Sequence, residues 1–215
     1  MTLKRRSNSS NGNGESNPIV SGNLKEKHEY DARLVYVADL GLQERSYKGD
    51  TKPPAQQVSL GFEIIGETVE YEDGTVKPRI LRCMPFYIYH EMSDKGKEYQ
   101  YYKIFDPDAE PGTVADWEKV LDYPCTVIAE HYKKEDKVYD NIKSIAPIPK
   151  KYQSAVGEST IEPCIGDVDE KDNPCNKALF GLARYVFDKR INDNEVKVEE
   201  DYEESFKEPD GDIPF

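Results

Sequence analysis

Basic and aromatic side chains recur together at three places in the chain. Arg45, Tyr47, Lys48 and Lys52 precede a Pro-Pro pair; Lys77, Arg79 and Arg82 run up to Tyr87 and Tyr89; Tyr132, Lys133, Lys134 and Lys137 flank a second polar turn. A cation beside an aromatic ring can serve one ligand class in two ways. The cation neutralises phosphate and releases counterions, and the ring offers a face to an unpaired base, each stack contributing roughly 1–3 kcal/mol. The same residue types also suit half-buried strands and solvated loops. Where the fold places them decides between the two.

A different chemistry closes the chain. Glu195–Phe215 carries nine acids against Lys197 and Lys207, a net −7 out of −13 for the whole chain. Such a run repels itself and buries too little apolar surface to offset chain entropy, which predicts a disordered tail over 193–215. Its tip holds Asp210, Asp212, Ile213, Pro214 and Phe215. A terminal ring and a free carboxylate suit a small apolar pocket edged by a basic group, so the tip reads as a docking peptide or as the end of a solubilising tail.

Catalytic patterns are sparse. Cys83, Cys125, Cys164 and Cys175 stand at irregular spacing without the paired knuckle of a structural zinc site, and in a chain without an export signal they read as reduced thiols. The acids Asp106 and Asp108, and Asp167, Asp169 and Glu170, sit in Pro/Gly-containing loops, where carboxylates serve as caps and turns. There is no phosphate-cradling Gly-rich loop and no nucleophile elbow. The sequence therefore predicts no enzyme, cofactor or metal. A nuclease using these loop carboxylates is the contrary reading.

The elements that must position the basic and aromatic groups are mostly strands. Ala32–Tyr47 alternates, with Leu34, Tyr36, Ala38, Leu40 and Leu42 on one face, and Gln56–Tyr71 does so with Val58, Leu60, Phe62 and Ile64. Lys48–Pro54 and Glu72-Asp73-Gly74 are turn signals. A third strand spans Ile80–His90 with Ile80, Met84, Phe86 and Ile88 inward, and Pro85 demands an edge or a bulge. Tyr101, Ile104 and Phe105 have helical spacing up to Asp106-Pro107. Thr113 precedes a second apolar stripe, Val114, Trp117, Val120 and Leu121, which predicts a helix. Cys125–Tyr132 and Val138–Pro149 flank the turn Lys133–Lys137. Residues 150–173 read as irregular, and Ala178 to about Ile191 as an amphipathic helix. Three strands, a helical insertion and two strands match a five-stranded OB barrel, with small β-sandwiches as competitors. On such a barrel the three basic-aromatic groups fall at the expected groove, while Asp39 and Glu63 would oppose phosphate there.

Composition bounds the rest. Hydrophobic content is 37% and mean hydropathy −0.80 over 215 residues, which suits one modest core between polar ends. No apolar run is long enough for a membrane helix, and the N-terminus lacks an apolar signal core. Residues 1–28, rich in Ser, Asn and Gly, are expected as a flexible arm and 29–192 as the folded domain. That body is itself acidic, so any site for nucleic acid must be a local basic strip.

Asp212-Ile213-Pro214-Phe215, behind its acids, resembles the tail tip of bacterial single-stranded DNA-binding proteins. Gly41–Glu67, Tyr123–His131, Tyr139–Lys150 and the final amphipathic helix resemble single-stranded DNA-binding proteins of tailed bacteriophages. The resemblance implies an OB fold and sequence-independent binding of single-stranded DNA. It also implies a role in phage replication, recombination or repair in the bacterial host cytoplasm. The tail would recruit replication or recombination proteins and compete with DNA for the groove. Self-association is left open, and an OB-fold protein-protein adaptor is the remaining alternative.

Overall fold

The computed structural model describes residues 21–134, 137–170 and 172–191. It is mainly β, and its five principal strands form a nearly closed antiparallel barrel of the OB-like type expected from the sequence. The strands are β1 (Glu29–Tyr47), β2 (Asp50–Glu70), β3 (Val76–Arg82), β5 (Pro124–Lys134) and β6 (Lys137–Pro147), and β4 is the two-residue Phe86–Tyr87. Hydrogen-bonded order is β3-β2-β1-β5-β6, and β3 comes back beside β6.

The chain divides into two compact units. The first comprises residues up to Val35, Gly61–Cys83 and Lys119–Pro163; the second comprises Tyr36–Leu60, Met84–Glu118 and the chain from Cys164 onward. The first unit holds β3, β5 and β6 with one end of β1 and β2. Ala32, Leu34, Phe62, Ile64, Leu81, Cys125, Val127 and Ala129 fill it, all at or below 5% exposure. Strict alternation on β2 and β5 puts these groups on the inner face, as the pattern predicts.

The second unit is the β1–β2 ribbon with smaller elements along it. Lys48 (φ 51) and Gly49 (φ 91) close the ribbon in a tight two-residue turn, where Gly49 meets a left-handed geometry at no steric cost. β4 pairs with β2 through Gln57–Tyr87 and Val58–Phe86, and β7 (Cys164–Gly166) runs parallel to β1 at Tyr36–Ala38. The helix α1 (Lys97–Phe105) buries Tyr102 and Phe105 and stops before Pro107. In the first unit α2 is the single turn Lys150–Gln153; in the second, α3 is Pro174–Lys177 and α4 is Gly181–Asp188. Gln43 in β1 donates to Val186 O of α4 at 3.2 Å, and Ile191 N donates to Leu42 O, which seats α4 on the ribbon.

Four expectations are corrected. Thr113 caps no helix: only a 3-10 turn, Glu118–Val120, forms. Trp117 belongs to the core of the second unit and Val120 to that of the first, so the apolar stripe serves two cores rather than one helix face. The third strand breaks between Arg82 and Phe86 around Pro85, which cannot donate, and its inward residues are Leu81 and Cys83; Ile80 is half-buried and Met84 is 60% exposed. The final helix is shorter than Ala178 to Ile191, split by Phe180 and Gly181 into α3 and α4. Residues 21–28 belong to the folded unit: Ser21 exchanges hydrogen bonds with Glu70, Leu24 is buried, and Lys25 N donates to Tyr30 Oη at 2.7 Å. Among the described residues no helix is long and apolar enough to cross a membrane.

Candidate nucleic-acid interface

In the first unit, Arg79 is not a surface cation. Its Nη1 lies 2.7 Å from Asp140 Oδ2, and the two side chains are 10% and 8% exposed. Its Nη2 donates to Gly22 O at 2.8 Å and to Thr68 O at 3.2 Å. The Asp140 carboxylate also accepts from Leu24 N, and His131 Nε2 stands 3.6 Å from it. This cluster joins β3, β6 and the N-terminal segment, and it sets the parity of β3: with Arg79 inward, Leu81 follows it. Opposite Arg79, β2 carries four residues, Ile64 to Glu67, between the pairs Glu63–Ile80 and Thr68–Pro78. A bulge of that kind re-aims side chains.

The remaining groups of this unit sort by exposure. Lys77 is exposed, its Nζ 5.4 Å from the centre of the Tyr71 ring, and Arg82 is half-buried and already engaged. The β5–β6 hairpin brings Tyr132 directly opposite Tyr139, Lys133 opposite Val138 and Lys134 opposite Lys137. Tyr132 is 53% and Tyr139 47% exposed, the exposed Lys137 side chain shares their face, and Lys133, also exposed, projects from the opposite face. Two half-open rings on adjacent strands, about 5 Å apart at their Cβ atoms for a directly opposed pair, form a small aromatic surface with one cation, Lys137, at its edge. The Asp140 carboxylate at this end of the hairpin is neutralised internally by Arg79. Sequence reasoning missed Tyr139. Counting outward from the centre of the turn would have found it as the partner of Tyr132. It also missed Lys143, the extra residue of the β6 bulge between Ile142 and Ser144, which is exposed.

The second unit gathers the other candidates. The Arg45 guanidinium lies 5.0 Å from the Tyr87 ring centre and 5.2 Å from that of Tyr89, so both rings already hold a cation. Each such contact contributes about 0.5–1 kcal/mol near the surface. Lys48 stands 5.2 Å over Tyr47 at the ribbon tip, and Lys52 is half-buried along β2. Behind Tyr89 sits Glu98, a buried carboxylate of α1. Burial pushes its pKa up, against the lowering pull of the Trp117 indole and the Tyr89 backbone N–H. Trp117 makes an edge contact with Tyr102 at 5.3 Å.

The two acids expected to oppose phosphate are withdrawn from solvent. Asp39 accepts from Gly41 N and Gln56 Nε2, both at 2.8 Å; burial raises its pKa above the usual carboxylate range, and Asp167 and Asp169 add to the rise. Glu63 is 3% exposed and bound by Thr160 and Ile161. The outer face of β2 in the first unit is therefore covered at Glu63. A ligand here meets the hairpin and its neighbours rather than a bare β2–β3 face.

No protein-family model, curated protein or solved structure matches the chain. Among the described residues, no group of three or more His, Cys, Asp or Glu side chains is placed to hold a metal ion, and none of the four cysteines is disulfide-bonded. The expected docking tip, Asp210, Asp212, Ile213, Pro214 and Phe215, lies outside the described residues.

Proposed function

We propose that the chain is a sequence-independent single-stranded DNA-binding protein, acting in phage DNA replication, recombination or repair within a bacterial cell. The observation that carries this reading is the Tyr132–Tyr139 pair on the β5–β6 hairpin, half-exposed with Lys137 on the same face. Unpaired bases are the ligand that uses open ring faces and cations together, since every base has a stacking face and every linkage a phosphate. Duplex DNA hides those faces, so discrimination against it follows from the chemistry of the surface. Arg45 with Tyr87 and Tyr89 is a further basic-aromatic group, in the second unit, that supports the same reading. The acidic tail would recruit replication partners through Asp210–Phe215 and compete with DNA, as the sequence resemblance implies.

The test is salt-titrated anisotropy of the full chain with a labelled 30-mer, single-stranded and then duplexed. The expected result is preference for the single strand, with affinity falling as salt rises. Absence of binding to the single strand at low salt would overturn the reading.

A further inference from the structure

Residues 148–161, Ile-Pro-Lys-Lys-Tyr-Gln-Ser-Ala-Val-Gly-Glu-Ser-Thr-Ile, follow β6 and have no strand to pair with, yet they are fastened at several points. Ile148 and Val156 are buried at 8% and 6% exposure. Arg33 of β1 reaches across: its Nε donates to Gly157 O at 2.7 Å and its Nη2 to Val156 O at 3.4 Å, while Nη1 holds Asp122 O at 2.6 Å. Ser159 Oγ donates to Asp122 Oδ1 at 2.8 Å. Glu63 of β2 closes the far end. Its carboxylate accepts from Thr160 N at 2.9 Å, Thr160 Oγ1 at 2.6 Å and Ile161 N at 3.1 Å. Gly157 passes so close to β2 that a Cβ there would stand 2.8 Å from Ile65 Cγ2.

A segment whose only task were to cover apolar surface would keep its large apolar groups inward. This one turns a ring outward. Tyr152 on α2 is 55% exposed with Lys151 Nζ 4.6 Å from its ring centre, and Lys150 and Lys151 are both exposed. Lys143, at the β6 bulge, leads toward it along the same strand that carries Tyr139. Basic and aromatic groups thus recur at both ends of β6, which at about 3.3 Å per residue spans roughly 35 Å. In a chain of net charge −13, a strap exposing two lysines beside an open ring is complementary to an anion with stacking faces.

We propose that residues 148–161 are a fixed strap whose outward Lys150, Lys151 and Tyr152 form a second contact for single-stranded nucleic acid, with Glu63 as its positioning residue. The proposal rests on the single-strand reading above and adds a site that reading does not require. It has an unusual sign. Removing the negative charge of Glu63 should, by simple electrostatics, tighten binding to a polyanion. With Glu63 as an anchor, Glu63→Ala instead frees the strap and weakens binding.

Three variants of the full chain test this: Glu63→Ala, Glu63→Gln, and the surface triple Lys150→Ala, Lys151→Ala, Tyr152→Ala. The probe is a labelled oligo-dT 30-mer in a salt titration, with trypsin cleavage after Lys150 and Lys151 as a readout independent of DNA. The triple variant should lose at least about fivefold in affinity from the ring alone, and its log–log salt slope should flatten by roughly 1.4, about 0.7 for each of two phosphates. Glu63→Ala should bind more weakly than wild type and be cut faster at the strap. Glu63→Gln, which keeps one carbonyl acceptor, should lie between. Wild type that fails to bind the probe removes the function and this site together. Wild type that binds, with a triple variant of unchanged affinity and slope, removes the strap contact alone. Tighter binding by Glu63→Ala with unchanged proteolysis overturns the anchoring role. If Glu63→Ala does not fold, the triple variant, confined to exposed side chains, still decides the contact.

Discussion

Removal of Asp140 should unlatch the barrel. In Asp140→Ala the Arg79 guanidinium keeps Gly22 O and Thr68 O but loses its counter-charge at 2.7 Å, in a place where it is only 10% exposed. A buried ion pair broken from one side costs about 3–5 kcal/mol, since an uncompensated charge is left behind. The two retained carbonyl contacts argue for the lower end, and the lost acceptor for Leu24 N argues against going much below it. A loss of about 3 kcal/mol is a large part of the 5–15 kcal/mol typical of whole domains, and corresponds to roughly 6–12 °C in Tm for a chain of this size. Urea unfolding followed by far-ultraviolet circular dichroism measures it. Trp117, the only tryptophan, reports on the second unit at the same time, while the lesion is in the first. The companion variant Arg79→Met with Asp140→Leu should recover most of the loss, because a pair of apolar groups leaves no charge stranded. A loss below about 1 kcal/mol for Asp140→Ala, combined with a flatter DNA salt slope for Arg79→Ala, would refute the argument. Arg79 would then belong to the interface after all.

Tyr132→Ala and Tyr139→Ala should each weaken single-strand binding by about 1–3 kcal/mol while leaving stability nearly unchanged, since both rings are about half exposed; anisotropy and a thermal melt separate the two effects. Glu98 has a folded pKa raised by burial above its unfolded value, so its contribution to stability is complete below the unfolded pKa and is lost as pH rises through the folded one. Glu98→Gln should therefore gain stability relative to wild type at neutral pH and lose that advantage in acid, as read by urea midpoints at both ends of the range. Deletion of residues 195–215 should tighten single-strand binding and abolish capture of replication partners from a host extract; unchanged affinity and capture would remove the tail mechanism.

Strand order was legible because period-two alternation and turn residues are local signals, and β1, β2, β5 and β6 all carry them. The parity of β3 was not. It is set by Arg79 reaching Asp140, sixty-one positions away, and a lysine- and arginine-bearing edge looks in sequence like a surface that waits for phosphate. Glu63 misled in the same way. A charged residue between apolar ones reads as solvent-facing, yet its partners Thr160 and Ile161 are 97 and 98 positions distant, and no local pattern announces them. Thr113 to Leu121 shows the opposite failure. Its helical period is present, but Trp117 and Val120 answer to different cores.

The boundary between the two units falls inside continuous strands, at Val35–Tyr36 in β1 and Leu60–Gly61 in β2. Neither unit is thus a contiguous stretch of gene. Recombination between relatives could not exchange one without cutting both long strands, and a single-codon insertion near Val35 would reverse the facing of the residues beyond it in β1 unless a bulge like that at Lys143 in β6 absorbed it. Such a chain should diverge by substitution and by changes at its turns, while the lengths of β1 and β2 stay fixed.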